Sequence, residues 1–168
     1  RQAIMTAAQH AFAEDGWGVP YTAIARRAGV GQASLYRHFP DKTDLAVAVF
    51  TRNIAELERV AAADDASVRG LLELVAVQAT LSAALLSALT DAAGVPGMQA
   101  IGARMRRLTT ALVERDRLRG HVAEDIDGAT VLLGVIMLAR TVAAVEASQR
   151  TKTAEDAIRL LSRSFGLR

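Results

Sequence analysis

The sequence predicts an all-α protein: an N-terminal three-helix domain with a helix-turn-helix, joined by a long helix to a larger C-terminal helical domain. Alanine and leucine are abundant, while aromatic residues make up 4% of the chain and proline occurs three times. Such a composition is typical of helical proteins. Hydrophobic residues make up 51% of the 168 residues and recur at helical spacing, which is enough for a core of useful size.

The N-terminal residues are predicted to form three short helices. The first ends near Glu14, before a glycine-rich exit at residues 15–18. Pro20 suits the first turn of the second helix, where its missing N–H costs nothing. The third helix spans residues 32–39 and is ended by Pro40.

The stretch from Ile24 to Lys42 has the pattern of a helix-turn-helix that reads DNA. Ile24, Ala25 and Ala28 place one apolar stripe on the first helix of the pair, and the two alanines let a second helix cross close by. Gly29 ends this helix, because glycine adopts a left-handed conformation without penalty.

Leu35 and Phe39, four residues apart, are predicted to anchor the second helix of the pair to the same small core. The residues left on its outer face are hydrogen-bonding, small or ring-bearing, as a helix in the major groove requires. They are Gln32, Ala33, Ser34, Tyr36, Arg37 and His38. Two alternatives stay open: Tyr36 packs on the domain core, and His38 hydrogen-bonds within the domain.

Five further helices are predicted, over residues 42–63, 67–93, 98–119, 129–148 and 154–165. Asp41 and Ser67 are good N-caps for the first two of them, and Gly120 ends the third. Residues 94–97, Gly-Val-Pro-Gly, form the clearest break in the chain. The predicted domains are residues 1–46 and residues 47–168.

The helix over residues 129–148 is apolar around most of its circumference and must therefore be buried on two sides. The stripes on this helix and on the last one are Val131, Val135, Leu138, Val142, Ile158, Leu161 and Phe165. These residues alone leave two interpretations open, the core of one chain or an interface with a second subunit.

The N-terminal residues resemble the DNA-binding domain of the TetR family of bacterial transcriptional regulators. The matching positions are Ile4, Ala7, Ala8, Phe12, Gly16, Ile24–Ala25, Ala28–Val30, Leu35–Phe39, Lys42 and Leu45. Several independent positions agree at the right spacing, so the array is specific although Ala-Gly-Val alone is not. The resemblance implies a homodimer, paired through its last two helices, whose two recognition helices read a palindromic operator in double-stranded DNA.

The resemblance also assigns roles to individual residues. It implies that Tyr36 and Lys42 contact DNA, Lys42 at a phosphate, and that Gln32 and Ser34 contact bases. Elementary chemistry adds that glutamine can bond adenine, that Ala33 can meet a thymine methyl, and that Arg37 can reach guanine or a phosphate.

Val19 departs from the family, which usually has a serine or threonine there that caps the second helix and touches a phosphate. Thr22 or the hydroxyl of Tyr21 would have to make that contact instead.

For the C-terminal domain the resemblance implies ligand binding and dimerisation. A small-molecule effector would bind between the long helices and change the separation of the recognition helices. The candidate lining is mostly apolar with several methionines, which suits an adaptable pocket: Gln78, Leu81, Leu85, Leu89, Met98, Ile101, Met105, Leu108 and Met137. Each of these is equally compatible with plain core. The basic face of the helix over residues 98–119 is either solvated or attracts an acidic ligand.

Several classes of protein are disfavoured. The chain has no cysteine, and its histidines (His10, His38, His121) show no metal-ligand spacing. No phosphate-binding loop or nucleophile motif is present. The apolar run at residues 131–139 is too short to span a membrane. We therefore expect a cytoplasmic, non-enzymatic protein without metal, cofactor or membrane contact.

The functional prediction is a DNA-binding transcriptional regulator, a homodimeric repressor that a small-molecule ligand releases from its operator. The alternative is a helical binding or scaffolding protein that keeps the fold but no longer reads DNA. The net charge of +2 is small, so binding would depend on where the basic residues lie.

Overall fold

The computed structural model describes residues 1–81, 83 and 97–168, and this part of the chain forms eight α-helices and no strand. The helices are α1 Gln2–Asp15, α2 Tyr21–Arg27, α3 Gln32–His38, α4 Lys42–Ala61, α5 Val68–Leu81, α6 Met98–Leu118, α7 Gly128–Ala144 and α8 Arg150–Ser164. A 3-10 turn, Ala147–Gln149, precedes α8. The all-α prediction is confirmed. None of the described helices is long and apolar enough to cross a membrane.

Helices α1, α2, α3 and the first half of α4 share one apolar core. Phe12, Ile24, Leu35 and Leu45 have no measurable exposure within it, and Phe39 is 2% exposed. These residues recur at helical spacing on their elements, so each short helix buries one stripe against the others. The core thereby fixes the orientation of α2 relative to α3.

Helix α4 belongs to both halves of the molecule. Asp41 caps it by accepting a hydrogen bond from the backbone N–H of Asp44 at 2.7 Å, as predicted. Val49 lies in the N-terminal core, whereas Ile54 and Leu57 lie in a second core formed with α5 to α8. One continuous helix therefore joins the two cores.

In the C-terminal core α7 packs against α5, α6 and α8. A glycine makes each of two close approaches possible. A Cβ atom on Gly128 would lie 2.5 Å from Thr110 Oγ1, and one on Gly134 would lie 2.6 Å from Phe165 Cζ. The apolar stripe of α7 thus faces the chain's own helices.

The structure changes two predicted boundaries. Helix α7 ends at Ala144 instead of residue 148, because Val145 is extended (φ −98°, ψ 161°) and interrupts the helical hydrogen bonds. Helix α8 begins at Arg150 instead of residue 154, continuing from the 3-10 turn. Helix α5 begins at Val68 after Ser67, whose Oγ accepts from the N–H of Gly70 as predicted.

Candidate nucleic-acid interface

Helices α2 and α3 form a helix-turn-helix with a well-defined turn. Gly29 has a φ of +66°, and its N–H donates to the carbonyl of Arg26 at 3.1 Å. The N–H of Val30 donates to the carbonyl of Ala25 at 3.0 Å. This pair of bonds satisfies the last carbonyls of α2 and needs a left-handed residue at position 29. The predicted role of Gly29 follows from this geometry.

Helix α3 has one buried and one exposed face. Leu35 and Phe39 anchor it in the N-terminal core, as their spacing predicts. The predicted reading residues are exposed except Ser34, which is half-buried: Gln32, Ala33, Tyr36, Arg37 and His38. A polar face of this kind on a helix fixed from behind is the arrangement that major-groove recognition requires.

Tyr36 is 48% exposed and is also held in place. Its ring meets the ring of Tyr21 edge to face, with centroids 5.1 Å apart and planes at 71°. Such pairs are stable because the positive edge of one ring meets the negative face of the other. Tyr36 therefore has a defined position and a free surface.

Tyr21 ties α2 to the junction between α3 and α4. Its hydroxyl donates to the carbonyl of Phe39 at 2.7 Å and lies 3.1 Å from the carbonyl oxygen of Asp41. Burial, and then the negative charge of Asp41, raise the pKa of Tyr21 to about 12. The hydroxyl is thus committed inside the domain, and of the two substitutes proposed for the missing cap only Thr22, which is exposed, remains.

The side chain of Lys42 makes hydrogen bonds within the N-terminal helices that the sequence did not indicate. Its Nζ donates to the carbonyls of Trp17 at 2.7 Å and Val19 at 2.6 Å, and it lies 5.2 Å from the centroid of the Trp17 ring. Burial lowers the pKa of Lys42. Two of its three N–H donors are thereby occupied, and one remains for the phosphate contact that the resemblance implies.

Val19 is 3% exposed and packs in the N-terminal core. Pro20 occupies the N-cap position of α2 and makes no side-chain capping bond. The departure from the family thus exchanges a polar cap for apolar burial at this position.

The remaining residues of α3 differ in their freedom. The Nε of Arg37 donates to the carbonyl of Ala33 at 3.2 Å, so this side chain lies along its own helix. The ring of His38 makes no side-chain hydrogen bond within the described part of the chain, which gives no support to the alternative of an internal role. Gln32 is exposed at the start of the helix.

Most of the residues predicted for a dimer interface pack within the chain itself. Six of them are buried in the chain's own core: Val131, Val135, Leu138, Val142, Leu161 and Phe165. Ile158 is half-buried beside them. Both faces of α7 are apolar, and the pattern alone did not show which face packs within the chain.

The opposite faces of α7 and α8 expose large apolar side chains. Leu133 is 58% exposed, Ile136 45% and Met137 54% on α7, and Leu160 is 65% exposed on α8. We refer to these four residues as the outer apolar set. Exposed apolar patches are typical of surfaces that take part in association with other molecules.

The predicted ligand lining is only partly internal. Ile101, Met105 and Leu108 are buried in the C-terminal core, and Gln78 reaches across to α4, where its Nε2 donates to the carbonyl of Asn53 at 3.2 Å. Leu81 and Met137 are each 54% exposed and do not lie in the core with the other three. Leu85, Leu89 and the side chain of Met98 lie outside the described residues.

Comparison with known proteins identifies this arrangement. Residues 4–49 match the family model for bacterial regulatory proteins of the tetR family. A TetR transcriptional regulator from Streptomyces coelicolor has a similar structure, with a TM-score of 0.74, 24% identity and coverage of 98% of this chain and 97% of that one. A TetR transcription regulatory protein from Mycobacterium vanbaalenii is similar with a TM-score of 0.71 and 25% identity, over 98% of this chain and 93% of that one. A gamma-butyrolactone receptor is similar with a TM-score of 0.62 and 23% identity, over 98% of this chain and 87% of that one. A search of curated proteins gives no match.

Proposed function

We propose that this chain, a regulator of the TetR family, is a DNA-binding homodimeric repressor that leaves its operator when a small molecule binds. Proteins of this family are transcription regulators and not enzymes. The proposed site of action is the cytoplasm, where the DNA of a bacterium lies. The observation that carries the proposal is the exposed polar face of α3, held from behind by Leu35 and Phe39.

Residues of this face have distinct proposed roles. Gln32 and Ser34 contact bases, with glutamine able to bond adenine at two atoms, and Ala33 packs on a thymine methyl. Tyr36 contacts a phosphate or a thymine methyl from its fixed place beside Tyr21. The contacts of Thr22, Arg37, His38 and Lys42 add to the affinity from the edges of the face.

A second subunit is needed because one α3 reads only half of a palindromic site. The outer apolar set supports a two-fold interface through α7 and α8, in place of the buried stripe first predicted from the sequence. Changing Ile136 and Leu160 together to glutamate should convert the dimer to a monomer in light-scattering chromatography. Leu118, which is 91% exposed on α6, provides the control: Leu118→Glu should leave the mass unchanged.

The ligand-release step is supported by the likeness of fold to a gamma-butyrolactone receptor. The proposed effector is a small molecule bound in the C-terminal domain, where α4 packs on α6. Binding there shifts the population toward a separation of the two α3 helices that does not fit the operator.

Two observations are also compatible with the alternative, a TetR-fold binding or scaffolding protein that no longer reads DNA. The Nζ of Lys42 is largely committed to backbone carbonyls, and Val19 is buried where a phosphate-contacting side chain is usual. Selection of fragmented genomic DNA of the source by the purified protein, followed by sequencing, separates the two. We expect enrichment of a palindromic site, whereas recovery of no preferred sequence would establish the alternative.

A further inference from the structure

A groove runs between the C-terminal end of α4 and the middle of α6, separate from the DNA-reading face. It is open to solvent and has a volume of about 310 Å³, near the lower end of the roughly 300–1,000 Å³ that small-molecule sites occupy. Its floor is apolar and includes Ala61, Leu108 and Leu112. Three arginines of α6 and a single carboxylate line its walls.

Two of the three arginines are hydrogen-bonded to α4 or to the residues that follow it. Both Nε and Nη2 of Arg104 donate to the carboxylate of Glu58, at 2.8 and 2.6 Å. This bond with Arg104, together with the charges of Arg104 and Arg107, lowers the pKa of Glu58. Arg115 donates through its two Nη atoms to the carbonyls of Ala61 and Ala63, at 2.8 and 3.0 Å. Glu58 and the carbonyls at the end of α4 are thus already satisfied.

Arg107 differs from the other two arginines. It is exposed, and among the described residues it makes no side-chain hydrogen bond and no ion pair. Because Glu58 is already paired with Arg104, the groove keeps an excess of positive charge beside an apolar floor. A neutral or cationic ligand does not use this charge, whereas a carboxylate can form a two-point bond with a guanidinium group.

We propose that this groove binds a small amphipathic carboxylate, with the carboxylate on Arg107 and the apolar tail on the floor at Leu108 and Leu112. The carboxylate would also compete with Glu58 for Arg104, whose pairing fastens α4 to α6.

This competition gives the groove a regulatory use, which rests on the proposed function as a repressor. Helix α4 contributes Leu45 and Val49 to the N-terminal core and Ile54 and Leu57 to the C-terminal core. Loosening the bond between Glu58 and Arg104 therefore weakens one of the links between α6 and the helix that leads to the N-terminal helices. An anion in the groove is expected to lower the affinity for DNA through this helix.

Calorimetric titration of the full chain with sodium octanoate tests the site. We expect saturable binding, weakened about tenfold by Arg107→Ala as the loss of a charge-assisted bond, and a similar weakening when 1-octanol replaces octanoate. Arg106→Ala is the matched control, because Arg106 is an exposed neighbour on α6 that does not line the groove, and it should bind as the wild type does. Absence of saturable binding, equal binding of octanol, or an equal loss in both variants would overturn the proposal.

The regulatory step is tested by adding octanoate to a preformed complex with operator DNA. Wild-type protein should release the DNA, and Arg107→Ala should retain it at the same concentration. Binding of octanoate without release of the DNA would overturn the regulatory step, while the groove would still be an anion-binding site. If the protein binds no DNA even without octanoate, the repressor function fails, while the calorimetric result still decides whether the groove is an anion site.

Discussion

The hydroxyl of Tyr21 donates to the carbonyl of Phe39 across 2.7 Å, and this bond joins the start of α2 to the end of α3. The same ring supports Tyr36 through an edge-to-face contact. One residue therefore fixes both the end of the recognition helix and the side chain at its centre. The exposed face of α3 is therefore held by Tyr21, which itself lies on α2.

Tyr21→Phe keeps the ring and removes only the hydroxyl. The carbonyl of Phe39 then loses its donor in a partly buried site, which should lower the free energy of unfolding by about 1–2 kcal/mol. Urea denaturation followed by circular dichroism measures this. Tyr36→Phe is the control, since the hydroxyl of Tyr36 has no protein partner among the described residues, and its midpoint should match the wild type. Equal midpoints for all three proteins would contradict the role of the bond.

The raised pKa of Tyr21 predicts a pH dependence of stability. The folded chain holds this proton up to a pKa of about 12, while the unfolded chain releases it near the usual value of 10.0. The contribution is therefore complete below pH 10 and is lost as the pH rises toward 12. Urea midpoints across this range should fall more steeply for the wild type than for Tyr21→Phe. An equal fall of the urea midpoint with pH in the two proteins would contradict the assignment of this pH dependence to the Tyr21 hydroxyl.

Lys42→Met separates the two roles of this lysine. Methionine retains much of the apolar stem but cannot donate to the carbonyls of Trp17 and Val19, so stability should fall by about 1–2 kcal/mol. If the remaining N–H also contacts a phosphate, the slope of log affinity against log salt should decrease by about one. Reduced stability with an unchanged slope would restrict Lys42 to positioning, and unchanged stability would contradict the internal role.

Gly128→Ala tests the close crossing of α6 and α7. The added methyl would lie 2.5 Å from Thr110 Oγ1 and 2.7 Å from Thr110 Cα, so the backbones must separate. Overpacking of this kind should cost about 1–3 kcal/mol, measured by thermal or urea unfolding. Gly18→Ala is the control, because a methyl there meets nothing within 4 Å. Equal losses in the two variants would show that the effect is not one of packing.

The sequence predicts most of the N-terminal domain because its signals are local. The turn at Gly29, the cap at Asp41, and the anchors Leu35 and Phe39 each depend on residues a few positions apart. The partners of Lys42 lie 23 and 25 residues away and are backbone carbonyls. Side-chain patterns carry no information about such contacts, so this role was missed.

The C-terminal domain was harder to predict for a different reason. Helix α7 is apolar on both faces, so the 3.6-residue period identifies a helix but does not decide which stripe packs within the chain. Burial of Val135 and Leu138 and exposure of Ile136 and Met137 are settled only by the positions of α5, α6 and α8. The groove between α4 and α6 likewise depends on residues more than 45 positions apart, such as Glu58 and Arg104.

The central claim is that the exposed face of α3 reads DNA, and a fluorescence anisotropy titration of the selected genomic site with wild-type protein and Tyr36→Ala tests it most directly. We expect saturable, salt-dependent binding by the wild type, with two chains on each duplex, and a loss of about tenfold or more in Tyr36→Ala at equal fold and mass. Equal affinity of the two proteins for the site, or no preference of the wild type for it over a scrambled duplex, would contradict the claim.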